Sequence, residues 1–211
     1  MRTAGRRKPS STEWLKRQLN DPYVVAARRQ GYRSRAAFKL IELDDRFHLL
    51  RRGSHVLDLG CTPGGWTQVA VGRVGPRGRV VGLDLAETPP TAGAVLLRAD
   101  ITDPTTLVAV RQALGGDADI VLSDMAPATT GHAGTDHLRI VALAEAAFAV
   151  AREMLKPGGS FVAKVFQGGA EGDLLADLKR SFAELRHAKP PASRAESSET
   201  YVVAKGFRKG G

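Results

Sequence analysis

The sequence is poor in cysteine, because Cys61 is the only one and no disulfide can form within the chain. With 211 residues, the chain is long enough to bury a core without such cross-links. No apolar run approaches the length of a membrane span, and no apolar segment typical of a secretory signal follows the basic N-terminus. We therefore expect a cytoplasmic protein of one domain, in a reducing compartment and without a membrane anchor.

The chain also lacks an acidic excess, and its net charge of +9 arises near the N-terminus. Residues 1–52 contain 14 Lys and Arg against 5 Asp and Glu, whereas the rest contains 17 of each sign. Such a segment indicates a nucleic-acid partner, because neutralising phosphates releases counterions. The alternative is a solvated tail that aids solubility. We predict a basic, partly flexible arm over residues 1–30 and a single domain over residues 31–208.

Short apolar strands alternate with helices from Ser54 onward, which predicts a doubly wound α/β sheet. A helix from Arg35 to about Phe47, capped by Ser34, should precede them. Strands are predicted at His55–Leu59, Arg79–Leu83, Val95–Leu97, Ile120–Leu122, Phe161–Val165 and Tyr201–Ala204, and helices at about 66–72, 104–114, 136–155 and 172–183. The last two strands, at about 184–189 and 200–206, are predicted to form an antiparallel hairpin at one edge of the sheet.

A strand, a glycine-rich turn and the start of a helix follow one another in residues 56–66. Glycines allow close approach of a ligand, and the free amides at a helix N-terminus favour an anionic group. The turn lacks the Gly-x-Gly-x-x-Gly spacing of dinucleotide folds and has Pro63 where a pyrophosphate would need an amide. A Walker loop is also absent. A nucleoside ligand other than a nucleoside diphosphate is therefore favoured.

Carboxylates at the strand ends narrow the choice of ligand. Asp84 ends the second strand, where an acidic side chain can accept hydrogen bonds from ribose hydroxyls, and Asp100 follows the third strand, near an expected adenine. Asp58 and Asp124 would repel a pyrophosphate but suit the cationic sulfonium of S-adenosylmethionine. That cofactor is preferred and an NAD-type ligand is the alternative. For Asp58, a hydrogen bond to the following loop is as good an interpretation as ligand contact.

Lys164 is the least expected residue, because it lies among apolar residues in a predicted strand and lysine is almost never fully buried unless paired. The alternative is a lysine at a strand end that extends to water. Lys39, Asp124 and Glu199 also occur in contexts that suit catalysis, and the four residues together suggest methyl transfer to a ribose 2′-hydroxyl.

Four sequence blocks occur in the order and at the spacing of a known family. They are Asp-Leu-Gly-x-x-Pro-Gly-Gly-Trp-Thr-Gln (58–68), Ser-Asp-Met-Ala-Pro (123–127), Gly-Gly-Ser-Phe-Val-x-Lys-Val-Phe-Gln-Gly (158–168) and Ser-Arg-x-x-Ser-x-Glu-x-Tyr (193–201). Over about residues 32–207 the chain resembles the FtsJ/RrmJ (RlmE) family, 2′-O-methyltransferases of bacterial large-subunit ribosomal RNA. The resemblance implies a Rossmann-like class I methyltransferase with a seven-stranded, mostly parallel sheet and helices on both faces.

The resemblance also implies the site residues. Its catalytic tetrad falls on Lys39, Asp124, Lys164 and Glu199, and its contacts with S-adenosyl-L-methionine fall on Gly64, Trp66, Asp84, Asp100 and Asp124. A ribose hydroxyl is a weak acid and needs a nearby proton acceptor. We expect Lys164 to accept the proton or orient the hydroxyl, Lys39 to supply a neighbouring cation, and the two carboxylates to hold the amines.

The expected activity is thus 2′-O-methylation of a uridine in 23S ribosomal RNA, on the large ribosomal subunit, by a monomer without a metal. One alternative is a 2′-O-methyltransferase of transfer RNA or of an RNA cap. Another is a non-catalytic RNA-binding factor in ribosome assembly. A binding protein has no need for a lysine among apolar neighbours, so the sequence favours the enzyme.

Overall fold

The computed structural model describes residues 21–127, 132–166 and 172–209. Within these ranges, helices and strands alternate along most of the chain. In chain order they are α1 (Pro22–Gln30), α2 (Ala36–Phe47), β1 (His55–Leu59), α3 (Gly65–Val74), β2 (Arg79–Asp84), β3 (Ala94–Arg98), α4 (Pro104–Leu114), β4 (Ala118–Ser123), α5 (Ala133–Met154), β5 (Leu155–Phe166), α6 (Gly172–Ser181), β6 (Phe182–Ala188) and β7 (Glu199–Phe207).

The strands form one seven-stranded sheet in the order β3-β2-β1-β4-β5-β7-β6. The pairings from β3 to β5 are parallel, whereas β7 runs antiparallel to both β5 and β6. The predicted mostly parallel sheet and its antiparallel hairpin at one edge are therefore confirmed. The strand order reverses between β1 and β4, and in such sheets ligands bind at the carboxyl ends of the strands beside this reversal.

Apolar side chains cover both faces of the sheet. In β1, Leu57 belongs to the core shared with α4, α5 and α6, while Val56 belongs to the core shared with α2 and α3. A strand that is buried on both faces is apolar along its whole length. This explains why the strands were recognisable as continuous apolar runs.

Helix α1 lies within the predicted N-terminal arm and was not predicted as a helix. Its start has recognisable signals, because the Asp21 side chain accepts a hydrogen bond from the Tyr23 amide at 3.0 Å and a proline occupies the first turn. The Tyr23 hydroxyl donates to Glu42 at 3.0 Å, and its ring lies 5.4 Å from that of Phe38. Residues 21–30 thus pack on α2, while residues 1–20 of the predicted arm lie outside the described residues.

The predicted cap of α2 is wrong. Arg35 precedes the helix in a helical conformation, and no side chain caps the first turn. The Ser34 hydroxyl instead lies against Gly65 at the start of α3, so closely that a Cβ at Gly65 would collide with it. Packing between the two helix starts therefore determines the position of Ser34.

Candidate active site

A cavity of about 730 Å³ opens at the carboxyl ends of β1 to β4, where the strand order reverses. Its polar groups include the side chains of Asp84, Asp100 and Asp124. Its apolar groups come from the loops after the strands and from α5. The lining comprises Gly60, Thr62, Leu83, Asp84, Leu85, Ala99, Asp100, Ile101, Thr102, Asp124, Met125, Ala126, Pro127, Arg139, Ala142, Leu143 and Ala146.

Asp84 is held in place by two backbone amides, one from the glycine-rich turn and one from the loop after β2. Its Oδ2 accepts a hydrogen bond from the Thr62 amide at 2.9 Å, and its Oδ1 accepts one from the Ala86 amide at 2.8 Å. A carboxylate has about four acceptor positions, so two remain for a ligand. The side chain can therefore accept hydrogen bonds from the hydroxyls of a ribose.

Asp100 is also oriented by its own loop. Its Oδ1 accepts hydrogen bonds from the Thr102 amide at 2.9 Å and the Thr102 hydroxyl at 2.8 Å. These hydrogen bonds lower the pKa of Asp100 below its ordinary value, so the group is ionised at neutral pH. An ionised carboxylate with an oxygen to spare suits an amino donor such as that of adenine.

The glycine-rich turn approaches the cavity through Gly60, which has a φ of 71°. A Cβ at this position would collide with the Met125 side chain, so only glycine fits. Gly64 has a φ of 107° and caps α3 without a side-chain hydrogen bond. It does not line the cavity but faces Arg33, whose Nη1 would lie 2.6 Å from an added Cβ.

Trp66 was predicted as a cofactor contact, and the structure places its indole elsewhere. The side chain is buried between α2 and α3, where Nε1 donates to the Ala36 carbonyl at 2.7 Å. Its ring centroid lies 5.7 Å from that of Tyr201. A contact between Trp66 and a ligand would have to come from its backbone amide in the first turn of α3.

Lys39, Asp124, Lys164 and Glu199, the predicted tetrad, meet in one cluster. Lys164 Nζ lies 2.8 Å from Asp124 Oδ1 and 3.7 Å from Glu199 Oε2, and it also donates to the Asp124 carbonyl at 2.9 Å. Lys39 Nζ lies 2.7 Å from Glu199 Oε1 and 3.8 Å from Asp124 Oδ1. Two ammonium groups and two carboxylates thus alternate, which accounts for the two buried lysines.

Four different elements supply this cluster. Lys39 comes from α2, Asp124 from the loop after β4, Lys164 from β5, and Glu199 from the start of β7. The antiparallel register places Lys164 opposite Tyr201, and residues two apart on a strand point to the same face. Glu199 therefore lies on the same face of the sheet as Lys164.

Tyr201 and Ser193 complete the cluster and were not predicted as site residues. The Tyr201 hydroxyl donates to Asp124 Oδ1 at 2.7 Å and lies 3.2 Å from Glu199 Oε1, while the Ser193 hydroxyl donates to Glu199 Oε1 at 2.9 Å. Both belong to the last sequence block, 193–201. Their position in that block beside Glu199 was the available signal.

The charges in the cluster shift two pKa values in opposite directions. Burial disfavours ionisation of Glu199, but the positive charges of Lys39 and Lys164 and the hydrogen bonds from Lys39 and Ser193 outweigh it, so the pKa of this carboxyl is lowered. Burial and the charges of Asp124 and Glu199 raise the pKa of Tyr201 well above its ordinary value. Glu199 is therefore ionised, and Tyr201 stays protonated as a hydrogen-bond donor.

A second cavity, of about 470 Å³, opens beside Lys39 and Glu199. Its lining consists of Arg35, Ala36, Lys39, Arg194, Glu196, Ser197 and Glu199. Asp124 lines the first cavity, whereas Lys39 and Glu199 line the second. Since Lys164 Nζ lies 2.8 Å from Asp124 Oδ1 and 3.7 Å from Glu199 Oε2, the tetrad connects the linings of the two cavities.

Asp58 lies below the glycine-rich turn and does not line the first cavity. It is 1% exposed, and its Oδ2 accepts a hydrogen bond from the Thr67 hydroxyl of α3 at 2.7 Å. Burial, with the negative charges of Asp124 and Asp84, raises its pKa to about 7 despite that hydrogen bond. Asp58 therefore joins β1 to α3, which agrees better with the structural interpretation than with ligand contact.

Cys61 is buried in the glycine-rich turn. Burial raises the pKa of its thiol to about 11, so the thiolate is scarce at neutral pH. This agrees with a packing role.

The profile of the FtsJ-like methyltransferases matches residues 32–207. The chain belongs to the FtsJ-like methyltransferase family. Among curated relatives, a protein of Paramagnetospirillum magneticum named Ribosomal RNA large subunit methyltransferase E is 61% identical and covers 99% of this chain and 87% of its own length. A protein of the same name from Gluconobacter oxydans is 59% identical and covers 99% of this chain and 77% of its own length.

Solved structures agree with this assignment to the FtsJ-like family. A Plasmodium falciparum protein, named as a ribosomal RNA methyltransferase, superposes with a TM-score of 0.74 at 30% identity and covers 83% of this chain and 98% of its own. The fibrillarin/Nop5p complex shares the fold, with a TM-score of 0.57 at 18% identity over 80% of this chain and 81% of its own. The predicted Rossmann-like methyltransferase fold is confirmed.

Two properties of the described residues bear on other functions. In these ranges, no helix has the length and apolar character needed to cross a membrane. Over the same residues, no group of three or more His, Cys, Asp and Glu side chains could hold a metal ion.

Proposed function

We propose that this protein transfers a methyl group from S-adenosyl-L-methionine to the 2′-hydroxyl of a uridine ribose in 23S ribosomal RNA, on the large ribosomal subunit. The observation that carries the proposal is the tetrad, which contributes Asp124 to the first cavity and Lys39 and Glu199 to the second. The curated relatives described above, named as large-subunit ribosomal RNA methyltransferases, support the choice of RNA.

The first cavity suits S-adenosylmethionine in size and chemistry. Its volume of about 730 Å³ lies within the range of small-molecule sites. Asp84 and Asp100 offer acceptors for a ribose and an adenine, and Asp124 offers a negative charge for a sulfonium. Leu85 and Ile101 supply apolar surface for a base. When bound, this cofactor supplies an electrophilic methyl group.

The tetrad suits activation of a ribose hydroxyl from the second cavity. We assign Lys164 as the group that orients the hydroxyl and, as the neutral amine, accepts its proton, because its Nζ lies between Asp124, which lines the first cavity, and Glu199, which lines the second. Asp124 fixes Lys164 through two hydrogen-bond acceptors, its carboxylate and its carbonyl. Glu199 holds Lys39, which places a second positive charge beside the reacting oxygen.

We propose that the enzyme acts as a monomer. We propose that it acts in the cytoplasm, where large ribosomal subunits of bacteria are assembled.

Mapping of 2′-O-methyl groups in RNA would test the proposal. Cells with and without the gene should differ at one uridine of 23S ribosomal RNA, and the purified protein with S-adenosylmethionine should restore that group on subunits from the deletion strain. A change confined to transfer RNA or to RNA caps would contradict the choice of ribosomal RNA. An unchanged map, together with no transfer to any RNA in vitro, would instead support a non-catalytic assembly factor.

A further inference from the structure

Two arginines at the rim of the second cavity share one carboxylate. Arg35 Nε lies 3.0 Å from Asp21 Oδ2, and Arg194 Nε lies 3.8 Å from the same oxygen. Both arginines line the cavity, and Asp21 does not. The Asp21 side chain is 10% exposed, less than the side chains of Arg35 at 18% and Arg194 at 34%.

The position of these arginines matters because of the geometry of a nucleotide. A ribose that reaches Lys39 and Glu199 with its 2′-hydroxyl must bring along the phosphate on its neighbouring 3′-carbon. Arg35 and Arg194 are the cations that line the same cavity beside Lys39, and guanidinium groups match the geometry of phosphate oxygens.

We propose that Arg35 and Arg194 bind the phosphodiester next to the methylated ribose, and that this phosphate replaces Asp21 as their partner. The proposal rests on the function proposed above. Asp21 then acts as an internal competitor, which neutralises the arginines until RNA arrives. Asp21 also caps the N-terminus of α1. Its release from the two arginines would therefore affect this helix, which follows the basic residues 1–20 in the sequence.

Three features of the site support an exchange of partners. Arg194 is one-third exposed, and its contact with Asp21 is long, at 3.8 Å. An anionic partner that comes closer can therefore displace this contact. Arg35 has a second anchor, because its Nη2 donates to the Ala192 carbonyl at 2.7 Å and stays in place when Asp21 leaves. Glu196, the other acid at the rim, is exposed and can turn toward water.

Binding of the full-length protein to unmethylated 23S ribosomal RNA, transcribed in vitro, would test the site over a range of salt concentrations. Arg194→Ala should weaken binding about tenfold, the usual scale for a charge-assisted hydrogen bond, and should lower the salt slope by about 1. Arg194→Lys should recover most of the slope because it keeps the charge. Arg180 is an exposed arginine on α6 that lines neither cavity. Arg180→Ala is therefore the matched control and should bind RNA normally.

Asp21→Asn is the decisive variant, because it removes the charge but keeps an oxygen to cap α1. It should tighten RNA binding about fivefold, and the gain should shrink in the Arg194→Ala background. Weaker or unchanged binding in Asp21→Asn would overturn the competitor role. A wild-type salt slope in Arg194→Ala would overturn the phosphate site.

These outcomes are distinct from failure of the proposed function. If the wild-type protein methylates the subunit while Arg194→Ala and Asp21→Asn bind RNA like the wild type, the phosphate site is wrong and the function stands. If the wild-type protein binds the RNA with the expected variant effects but transfers no methyl group, the site stands and the function is wrong.

Discussion

Lys164 is the residue on which the proposed chemistry depends most. Lys164→Ala should reduce methyl transfer by about 100-fold or more, the usual scale for an acid–base group, with cofactor binding retained. Lys164→Arg should fail as well, because arginine stays charged and cannot accept a proton. Single-turnover transfer of labelled methyl to large ribosomal subunits measures both effects.

Lys156 provides a matched control on the same strand. Its Nζ pairs with Asp119 at 3.0 Å near the opposite end of β5, away from both cavities. Lys156→Ala should keep the wild-type rate, and thermal melts of all three variants would show whether the fold persists. Wild-type transfer by Lys164→Ala would remove this residue from the mechanism.

Asp84 tests the placement of the cofactor. Asp84→Ala should weaken binding of S-adenosylmethionine by roughly 1–3 kcal/mol, because it removes charge-assisted hydrogen bonds to the ribose. Isothermal titration calorimetry measures this, with Asp45→Ala as a control, since Asp45 pairs with Arg73 outside both cavities. An unchanged affinity in Asp84→Ala would mean that the ribose binds at another strand end.

At the scale of single elements, most strands were predictable because they contain short runs of buried apolar residues, as in β1 and β4. Helix α1 was missed because its cationic residues suggested a free arm, although Asp21 and Pro22 mark a helix start. The indole of Trp66 could not be placed from sequence, because only the packing of α2 on α3 determines that it points away from the cavity.

For the tetrad, too, the sequence predicts the residues but not the distances between them. Its four residues were identified from the motifs that contain them. Their separations depend on the register between β5 and β7 and on the position of α2, which the sequence does not encode locally. The second cavity likewise forms only when the chain folds, because Arg35 and Arg194, which both line it, are far apart in the sequence.

The arm should therefore be tested as residues 1–20, not 1–30. Deletion of 1–20 removes six Lys and Arg and leaves Asp21 and α1 in place. RNA affinity should fall and its salt dependence should flatten, while affinity for S-adenosylmethionine should hold. Filter binding at several salt concentrations measures the slope. An unchanged slope would show that the basic segment takes no part in RNA binding.

At the scale of the whole molecule, the buried carboxyl of Asp58 makes stability depend on pH. Its pKa is raised from 3.8 to about 7 in the folded state, so the folded protein holds a proton that the unfolded chain releases. The stabilisation that comes from the neutral form is complete below pH 4 and is lost as the pH rises through 7. A tenfold change in an ionisation equilibrium corresponds to about 1.4 kcal/mol, so the loss of stability is on the order of a few kcal/mol.

The carboxyl of Glu199 contributes with the opposite sign. Its pKa is lowered in the folded state, so its contribution to stability is present above its ordinary pKa of 4.5 and is lost as the pH falls below that value. Between pH 5 and 8, Glu199 is ionised in both the folded and the unfolded state. Of these two groups, Asp58 should therefore account for most of the change in stability over this range.

Asp58→Asn separates the two effects, because the amide oxygen still accepts the hydrogen bond from Thr67 but cannot ionise. The wild-type protein should lose thermal stability from pH 5 to pH 8, and Asp58→Asn should lose markedly less over the same range. Urea unfolding at pH 5, 6.5 and 8 gives the free energy of unfolding for both proteins. Parallel curves for the two would show that Asp58 is already ionised in the folded protein and that its burial is offset by contacts other than the one with Thr67.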